Sequence, residues 1–350
     1  MEQSVNAQIH ITWLGSKCRS KQEKAAWSDC VTLYQDTINI LNQALNPTKQ
    51  STSYDLQTWL TTSLTNTNTC QTGFHKVGVG NNVLPLIPNK NISKIISDFL
   101  TLNNASSFIP PKTNKNGFPR WLTVISGSRS VGGGSTTFNS TNVGLNIVYS
   151  CDKDGFIARG ITFRNTEGPE NHQAGGLRCG ADLSVFHRCA FEGYQDTLYV
   201  HSQRQFYKEC HIFGTVDFIF GNAAVVFQSC NIYATRSMQK QKNAIAAEDP
   251  NQNTGICIQN SRVMAVEDLV PVLSSFKTFL GRPWREYSRT VFLQTYLDAL
   301  VDLAGDRVKW GGYHAITSAT EASKFTVENF IAGKSWLPAT GIPFLLGLDD

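Results

Sequence analysis

The chain has 350 residues, of which 41% are hydrophobic and 17% are charged, while an average soluble domain has roughly 25% charged residues. This length predicts more than one domain, and the apolar content is sufficient for a large core. The net charge is +4, and residues 1–120 hold 11 Lys and Arg against 6 Asp and Glu. These basic residues form no dense cluster and no run interleaved with aromatic residues. A nucleic-acid ligand is therefore not predicted, and the charge supports only weak attraction to an acidic polymer.

Nine cysteines are present, but they include no Cys-x-x-Cys pair and no Cys/His spacing typical of zinc sites, so no metal and no other cofactor is expected. Three Asn-x-Ser/Thr triplets, at Asn91, Asn104 and Asn139, are compatible with N-glycosylation of a secreted protein. Residues 1–20 contain no apolar stretch long enough for a signal peptide or a membrane span. Either the export signal is missing from this chain or the protein stays inside the cell, and no membrane partner is predicted.

The N-terminal third has the apolar periodicity of a small helical unit. Apolar residues recur at helical intervals over residues 21–45, and Pro47 ends the pattern. Residues 56–64 and 83–102 give two further predicted helices. Pro, Gly, Asn and Lys then dominate a segment that sustains neither a helix nor a sheet interior. The predicted domains are a helical domain at residues 1–105, a linker at 106–121 and a second domain at 122–350.

Beyond the linker, short β-branched and aromatic runs repeat between Gly and Asn turns. In the three clearest copies, the shared cysteines Cys189, Cys210 and Cys230 are 21 and 20 residues apart. A period near twenty is typical of a right-handed parallel β-helix, in which each coil buries its inward side chains against the next. A leucine-rich repeat is disfavoured because its Leu/Asn pattern is absent, and a propeller because its blades need about forty residues. The predicted fold is therefore mainly β, a right-handed parallel β-helix preceded by a small α-helical domain.

Polar residues recur at the same period. Gln173, Gln195 and Asp217 are separated by 22 residues each, and Asp196 follows Gln195. Residues one coil apart lie roughly 5 Å from each other, so this spacing predicts that the four side chains converge on one surface patch. Two carboxylates at such a distance cannot both ionise easily, which suits one to act as a nucleophile and the other as an acid. Arg282 is the cation predicted to hold one of them ionised.

Several segments resemble the signature segments of plant pectin methylesterases. The three most specific are residues 193–199 (Gly-Tyr-Gln-Asp-Thr-Leu-Tyr), 214–222 (Gly-Thr-Val-Asp-Phe-Ile-Phe-Gly-Asn) and 280–284 (Leu-Gly-Arg-Pro-Trp). Residues 172–174 and 134–138 are similar to the glutamine and threonine segments of the same family. Together these motifs cover most of the region from residue 124 to residue 345, and they occur in the order that the family has.

The resemblance implies an esterase that removes methyl groups from esterified polygalacturonate. It makes Asp217 the nucleophile that forms an acyl-enzyme, and Asp196 the acid that protonates departing methanol and later activates water. Gln195 stabilises the transition state, and Gln173 is a second donor to the oxyanion. The residues implied to bind substrate are Thr137, Gln173, Arg282, Trp284, Tyr199 and Phe220.

Further predictions concern the helical unit and the pairing of the cysteines. Residues 24–30 and 58–70 resemble the inhibitor-like pro-region that precedes many of these enzymes, and a bond between Cys30 and Cys70 is expected there. The coil period places Cys210 next to both Cys189 and Cys230, at a Cα separation that a disulfide allows. Spacing does not decide between these two neighbours, and the resemblance implies the Cys210–Cys230 bond.

The resemblance further implies pectin as the substrate, a pectinesterase inhibitor protein as a candidate partner, a monomeric state, and secretion to the cell wall. The chain departs from the family pattern between Arg120 and Thr123, where the first coils of the β-helix are absent, and after Gly305, where a loop is absent. Missing coils leave inward apolar residues and strand edges uncovered, which predicts low stability and poor esterase activity.

Two alternative functions follow from these departures and from the fold. The first is a catalytically impaired relative that acts as a polysaccharide-binding or inhibitor-like protein, and methanol release from esterified pectin separates it from an esterase. The second is a β-helical pectate lyase or polygalacturonase. The sequence disfavours the second because it has neither a calcium-binding Asp cluster nor the expected paired Asp and His motifs.

Overall fold

The computed structural model of the chain describes most of its residues. The described residues are 2–46, 48, 51–78, 89–103, 123–126, 146–239, 241, 243–244, 253–281, 288–301 and 315–348. They form two compact units, one made of the N-terminal helices and the other of nearly all the strands. No helix in the described ranges is both long enough and apolar enough to cross a membrane. The predicted linker at 106–121 lies outside the described residues, so the domain boundaries stay a prediction.

The described part of the N-terminal unit is helical. Its helices are α1 (Glu2–Leu14), α2 (Lys21–Ala44), α3 (Ser53–Lys76) and α4 (Asn89–Asn103). The α2 helix matches its predicted bounds to within one residue, and Ser20 caps it by accepting a hydrogen bond from the Glu23 amide. The apolar faces of these helices meet in one core that includes Ile11, Tyr34, Phe74, Ile96 and Leu100.

The α3 helix extends well beyond the predicted residues 56–64. Its buried face is lined by Thr, Ser and Asn, which hide the helix from an apolar pattern. Their hydroxyls bond back to carbonyls of the preceding turn, as Thr62 Oγ1 does to Thr58 O at 2.9 Å. A capping box between Thr52 and Asp55 fixes the first turn. The α1 helix is also missing from the sequence prediction, and residues 83–88 of the last predicted helix lie outside the described residues.

A disulfide between Cys30 and Cys70 joins α2 to α3, with the two Cα atoms 4.7 Å apart. This bond confirms the prediction for the helical unit. Both cysteines are buried in the helical core. The bond closes a sequence separation of 40 residues, for which the chain-entropy estimate gives roughly 4 kcal/mol of stabilisation.

Every strand pair in the described residues is parallel, and most strands fall into three sheets. The seven-stranded sheet has the order β1 (Thr123–Ser126), β3 (Phe156–Arg159), β6 (Ser184–His187), β9 (Arg204–Lys208), β12 (Ala224–Gln228), β15 (Gly255–Gln259) and β18 (Thr290–Leu293). The six-stranded sheet has the order β4 (Thr162–Arg164), β7 (Ala190–Glu192), β10 (His211–Gly214), β13 (Asn231–Ala234), β16 (Arg262–Ala265) and β19 (Tyr296–Leu297). The four-stranded sheet has the order β2 (Asn146–Cys151), β5 (Ala174–Cys179), β8 (Leu198–Val200) and β11 (Ile219–Phe220). A short pair is formed by β14 (Asn243–Ala244) and β17 (Thr278–Phe279).

The coils stack in register, as the repeated sequence runs predict. Lys208 lies beside His187 on one neighbouring strand and beside Gln228 on the other, which are 21 and 20 residues away along the chain. Inside the coils, Tyr207 stacks between Phe186 and Phe227 with ring centroids 4.6 Å apart on both sides. The predicted parallel β-helix is therefore confirmed.

The turn from β3 to β4 passes through Gly160 at φ 65°, and each later coil turns from the seven-stranded to the six-stranded sheet through one non-glycine residue in the left-handed backbone region. The φ angles there lie between 46° and 56°, for Arg188, Glu209, Ser229, Asn260 and Gln294. The next residue in each coil points inward, and in three successive coils it is a cysteine. The bend therefore explains the cysteine period that the sequence displays, because it fixes one inward position per coil.

The C-terminal segment covers the outer face of the seven-stranded sheet. It contains α5 (Ala319–Ala322) and α6 (Val327–Phe330), and its apolar residues pack on Val185, Phe206 and Val226 of the sheet. Trp336 is buried in this layer and donates its indole N–H to Ile331 O at 2.9 Å. This covered face lies on a different sheet from the polar patch described next.

Candidate active site

The polar patch lies where coils pass from the six-stranded to the four-stranded sheet. Residues 193–197 connect β7 to β8, and residues 215–218 connect β10 to β11. Gln173 immediately precedes β5, the neighbouring strand of the same sheet. Three successive coils thus bring the predicted glutamines and aspartates to one edge of the four-stranded sheet.

Hydrogen bonds fix these connections side by side. Gln173 and Gln195 form a parallel bridge, in which the Ala174 amide donates to Gln195 O at 3.1 Å. On the other side, the Asp196 amide donates to Val216 O at 3.0 Å. Each predicted polar residue is therefore one coil, or one strand spacing of about 5 Å, from the next.

Within the patch, the strand pairing follows the 22-residue spacing between the two glutamines but not between Gln195 and Asp217. Leu198 pairs with Ile219, a separation of 21, so continuing this register places Asp217 beside Asp196 and not beside Gln195. Leu177 also pairs with Leu198 at 21, whereas Gln173 and Gln195 are 22 apart. The 173–177 segment therefore holds one extra residue, and the amides of Gly176 and Leu177 both donate to Thr197 O. The patch consists of two rows, one of glutamines and one of aspartates.

The two aspartates are both buried, and both have a left-handed backbone conformation. Asp196 and Asp217 are 3% and 1% exposed, and their φ angles are 61° and 46°. Residues other than glycine adopt this left-handed backbone conformation at an energetic cost, and residues that do so are enriched at functional sites. Two buried carboxylates on adjacent coils are the pair that acid and nucleophile chemistry needs.

An aromatic pair continues from the aspartates along the sheet. Tyr199 and Phe220 lie in register on β8 and β11 and stack with ring centroids 4.4 Å apart at an interplanar angle of 9°. Phe220 is 2% exposed while Tyr199 is half-buried, so the buried Phe220 ring supports one face of the Tyr199 ring. The sequence prediction brings both residues to this patch, and their roles toward substrate stay proposals.

Arg178 extends this stack and is not identified by the sequence motifs. It lies in register with Tyr199 on β5, and its guanidinium carbon is 5.7 Å from the centroid of the Tyr199 ring. Its position 21 residues before Tyr199 could have revealed it, because that spacing is the coil period. Arg178 adds a positive charge beside the carboxylates of Asp196 and Asp217, the other charged groups that the described part of the patch contains.

His201 packs edge-on against Tyr199, with ring centroids 5.1 Å apart. Burial, with a smaller contribution from the charge of Arg178, lowers the pKa of His201 well below its ordinary value. The imidazole is therefore neutral near pH 7, and its Nδ1 lies 3.1 Å from Ser202 Oγ. His201 holds the Tyr199 ring in place and carries no charge for acid–base chemistry.

Three predicted site residues lie outside the described residues. They are Thr137, Arg282 and Trp284, and their places in the site stay predictions. The described part of the site therefore holds Gln173, Gln195, Asp196, Asp217, Tyr199 and Phe220.

The predicted Cys210–Cys230 bond is absent from the structure, where both residues are buried thiols on neighbouring coils. Their S–H groups point to backbone carbonyls, with Cys210 Sγ 3.3 Å from Phe186 O and Cys230 Sγ 3.5 Å from Tyr207 O. Cys189 and Cys230 both flank Cys210, so the geometry leaves either bond open. We expect peptide mapping of the oxidised protein to find Cys210 linked to Cys230, and a Cys189–Cys210 peptide would overturn this assignment.

Comparison with known proteins agrees with these features. The sequence profile of the pectinesterase family matches residues 117–306, and that of the plant invertase/pectin methylesterase inhibitor family matches residues 1–102. Pectinesterase 2 of Citrus sinensis is 44% identical over 452 residues, covering 99% of this chain and 87% of its own. Probable pectinesterase/pectinesterase inhibitor 17 of Arabidopsis thaliana is 42% identical, covering 99% of this chain and 86% of its own.

The alignment with the Citrus protein has 452 positions against 350 residues in this chain, so at least 102 positions (452 − 350) have no residue here. An alignment longer than the chain is what the predicted internal gaps would produce. Among solved structures, the pectin methylesterase from carrot matches with a TM-score of 0.56 and 50% identity, covering 65% of this chain and 79% of its own. The chain belongs to the pectinesterase family and carries an N-terminal region of the pectin methylesterase inhibitor type.

Proposed function

We propose that this protein hydrolyses the methyl esters of polygalacturonate and releases methanol through an aspartyl acyl-enzyme. The observation that supports this most is the pair of buried aspartates, Asp196 and Asp217, on adjacent coils beside two glutamines that are bridged to each other. A carboxylate nucleophile, a second carboxyl group and amide donors are the groups that such an ester hydrolysis requires.

In the proposed reaction, a carboxylate oxygen of Asp217 adds to the carbonyl carbon of the methyl ester. The tetrahedral intermediate expels the methoxy oxygen, which takes the proton of Asp196 and leaves as methanol. Water then gives a proton to the Asp196 carboxylate and adds to the acyl carbon. The C–O bond to Asp217 breaks, which releases the galacturonic acid and restores the enzyme with Asp217 ionised and Asp196 protonated. The product acid then gives its proton to the solvent.

The remaining residues stabilise charge and hold the sugar chain. The amide N–H groups of Gln173 and Gln195 donate to the oxyanion, and burial of the patch strengthens these hydrogen bonds. Tyr199 stacks on a sugar ring, while Arg178 is placed to attract the carboxylate of a uronate that is already free of methyl. By family resemblance, Arg282 positions Asp217, and Thr137 and Trp284 contact substrate.

The cellular setting is part of the same proposal. The presence of a disulfide in the helical unit supports an oxidising compartment, in agreement with secretion to the cell wall. The sequons at Asn91, Asn104 and Asn139 are then glycosylation sites. The helical region resembles inhibitors, which makes an inhibitor protein a candidate partner, and the protein acts as a monomer.

The test of this function is methanol release from methyl-esterified polygalacturonate by the purified full chain. We expect methanol to appear together with titratable acid, in equal amounts, because each turnover produces one of each. Pectin that has been fully de-esterified serves as the blank. A folded protein that binds esterified pectin but releases no methanol would instead be the non-catalytic polysaccharide-binding relative.

Replacing the oxyanion donor tests the role of the glutamine row. We expect Gln195→Ala to lower kcat by about 10²–10³-fold, because one donor to the developing negative charge is lost. The KM should change little, since the oxyanion forms only in the transition state. The measurement is a steady-state methanol assay at several pectin concentrations.

Gln228→Ala is the matched control for Gln195→Ala. The Gln228 side chain is buried in another sheet, where it donates to Leu345 O at 3.0 Å and accepts from the Leu345 amide at 2.8 Å. Its loss should lower the melting temperature and leave kcat of the folded protein unchanged. A Gln195→Ala variant that behaves in this way would mean that Gln195 is structural.

A further inference from the structure

Two buried thiols lie at one end of the four-stranded sheet. Cys151 is the last residue of β2, and Cys179 is the last residue of β5, the next strand. The Gly180 amide donates to Cys151 O at 2.9 Å, which in a parallel pair places Cys151 directly beside Cys179. The two residues are 2% and 0% exposed and face the same core.

The thiols of the β-helix divide into separate groups of neighbours. Burial, together with a contact from the Cys179 sulfhydryl, raises the pKa of the Cys151 thiol. Cys210 has Cys189 and Cys230 as its neighbours, one on each side. Cys257 is buried on the opposite face of the seven-stranded sheet, in the layer covered by the C-terminal segment. Cys151 and Cys179 thus each have the other as a neighbouring thiol.

We propose that Cys151 and Cys179 form a disulfide in the secreted protein. Residues paired on adjacent parallel strands have Cα atoms about 4.8 Å apart, within the range of roughly 4.4–6.8 Å that disulfides use. The structure holds both as thiols, so the bond forms by oxidation. The two S–H groups lose two protons and two electrons, a sulfur–sulfur bond forms, and a disulfide oxidant such as oxidised glutathione is reduced to two thiols.

A bond at this place secures the end of the β-helix at which the sequence analysis predicts missing coils. Among the described residues, β2 is the terminal strand of its sheet, with β5 on one side and no strand on the other. The bond closes a loop that includes Gln173, and β5 begins at the residue after Gln173. Linking β2 to β5 therefore limits fraying of the strand that positions one of the glutamines.

The direct test is disulfide mapping of the full chain, produced through a secretory pathway and alkylated under denaturing, non-reducing conditions. We expect a cross-linked peptide that joins Cys151 to Cys179. The Cys30–Cys70 peptide serves as the internal control, since its presence proves that the sample met an oxidant. Alkylated Cys151 and Cys179 in a sample that contains the Cys30–Cys70 link, or a bond from Cys179 to Cys189, would overturn the proposal.

Substitution gives a second, independent measurement. In the absence of reductant, we expect Cys151→Ser to lower the melting temperature of the β-helix by about 5–15 °C, the range for a typical disulfide in a unit of this size. A phosphine reductant should lower the melting temperature of the parent and so remove most of the difference. Cys257→Ser, the control for losing a buried thiol, should differ from the parent equally with and without reductant. A Cys151→Ser difference that reductant leaves unchanged would indicate packing alone, and if this variant does not fold, the mapping of the parent decides.

Discussion

Asp217→Asn is expected to abolish methanol release, with kcat falling by about 10³-fold or more, because the amide cannot attack the ester carbonyl. The side chains are nearly isosteric, and asparagine tolerates the left-handed backbone that Asp217 adopts at φ 46°. The folded structure should therefore be retained. The measurement pairs a single-turnover methanol assay with thermal unfolding followed by circular dichroism.

The control for this substitution is Asp268→Asn, the same chemical change at an exposed aspartate outside the patch. It should leave both kcat and the melting temperature as in the parent. A turnover of Asp217→Asn within tenfold of the parent, in a protein with an unchanged melting temperature, would remove Asp217 from the nucleophile role. Loss of the folded state in Asp217→Asn but not in Asp268→Asn would point to a structural carboxylate.

The β-helix could be predicted from the chain because its coil is encoded in a short repeat. The bend at Glu209 and Ser229 sets one inward residue per coil, so the cysteines that follow mark the period directly. The helical unit was harder to predict, because the buried face of α3 is rich in threonine, serine and asparagine. Such a face satisfies its hydroxyls within the helix and leaves no apolar period to detect.

The residues of the candidate site could be named from motifs, but their arrangement could not. The spacing of 22 puts Gln173, Gln195 and Asp217 in one row, while the structure pairs Asp217 with Asp196. The β8–β11 pair keeps a separation of 21, which puts Asp217 beside Asp196, whereas one extra residue near Gly176 lets Gln173 pair with Gln195 at 22. A one-residue bulge leaves no trace in a period that already varies between 20 and 22, so only the hydrogen bonds reveal it.

A buried ion pair next to the proposed disulfide holds neighbouring coils together. Arg204 binds Asp182 through two side-chain contacts, from Nε at 2.9 Å and from a terminal guanidinium nitrogen at 2.6 Å. The Arg204 amide adds a third hydrogen bond to the same carboxylate at 3.0 Å. Both side chains are about 5% exposed, so water cannot replace either partner. This is the bidentate geometry, in which hydrogen bonds between an arginine and a carboxylate are strongest.

Arg204→Met is therefore expected to destabilise the β-helix by about 3–5 kcal/mol, because it leaves the Asp182 carboxylate buried without its cation. The double variant Arg204→Met/Asp182→Leu should lose less than the sum of the two single variants, since no charge is then left uncompensated. Arg188→Met is the matched control: Arg188 pairs with Glu209 at 2.7 Å, but its side chain is 68% exposed, so its loss should cost no more than about 1 kcal/mol. Urea unfolding of the parent, the three single variants (Arg204→Met, Asp182→Leu and Arg188→Met) and the double variant, followed by a strand-specific circular dichroism signal, measures these differences. Equal midpoints for Arg204→Met and Arg188→Met would mean that the buried Asp182–Arg204 pair contributes no more to stability than the exposed pair. The coils would then be held at this point by their backbone hydrogen bonds and core packing alone.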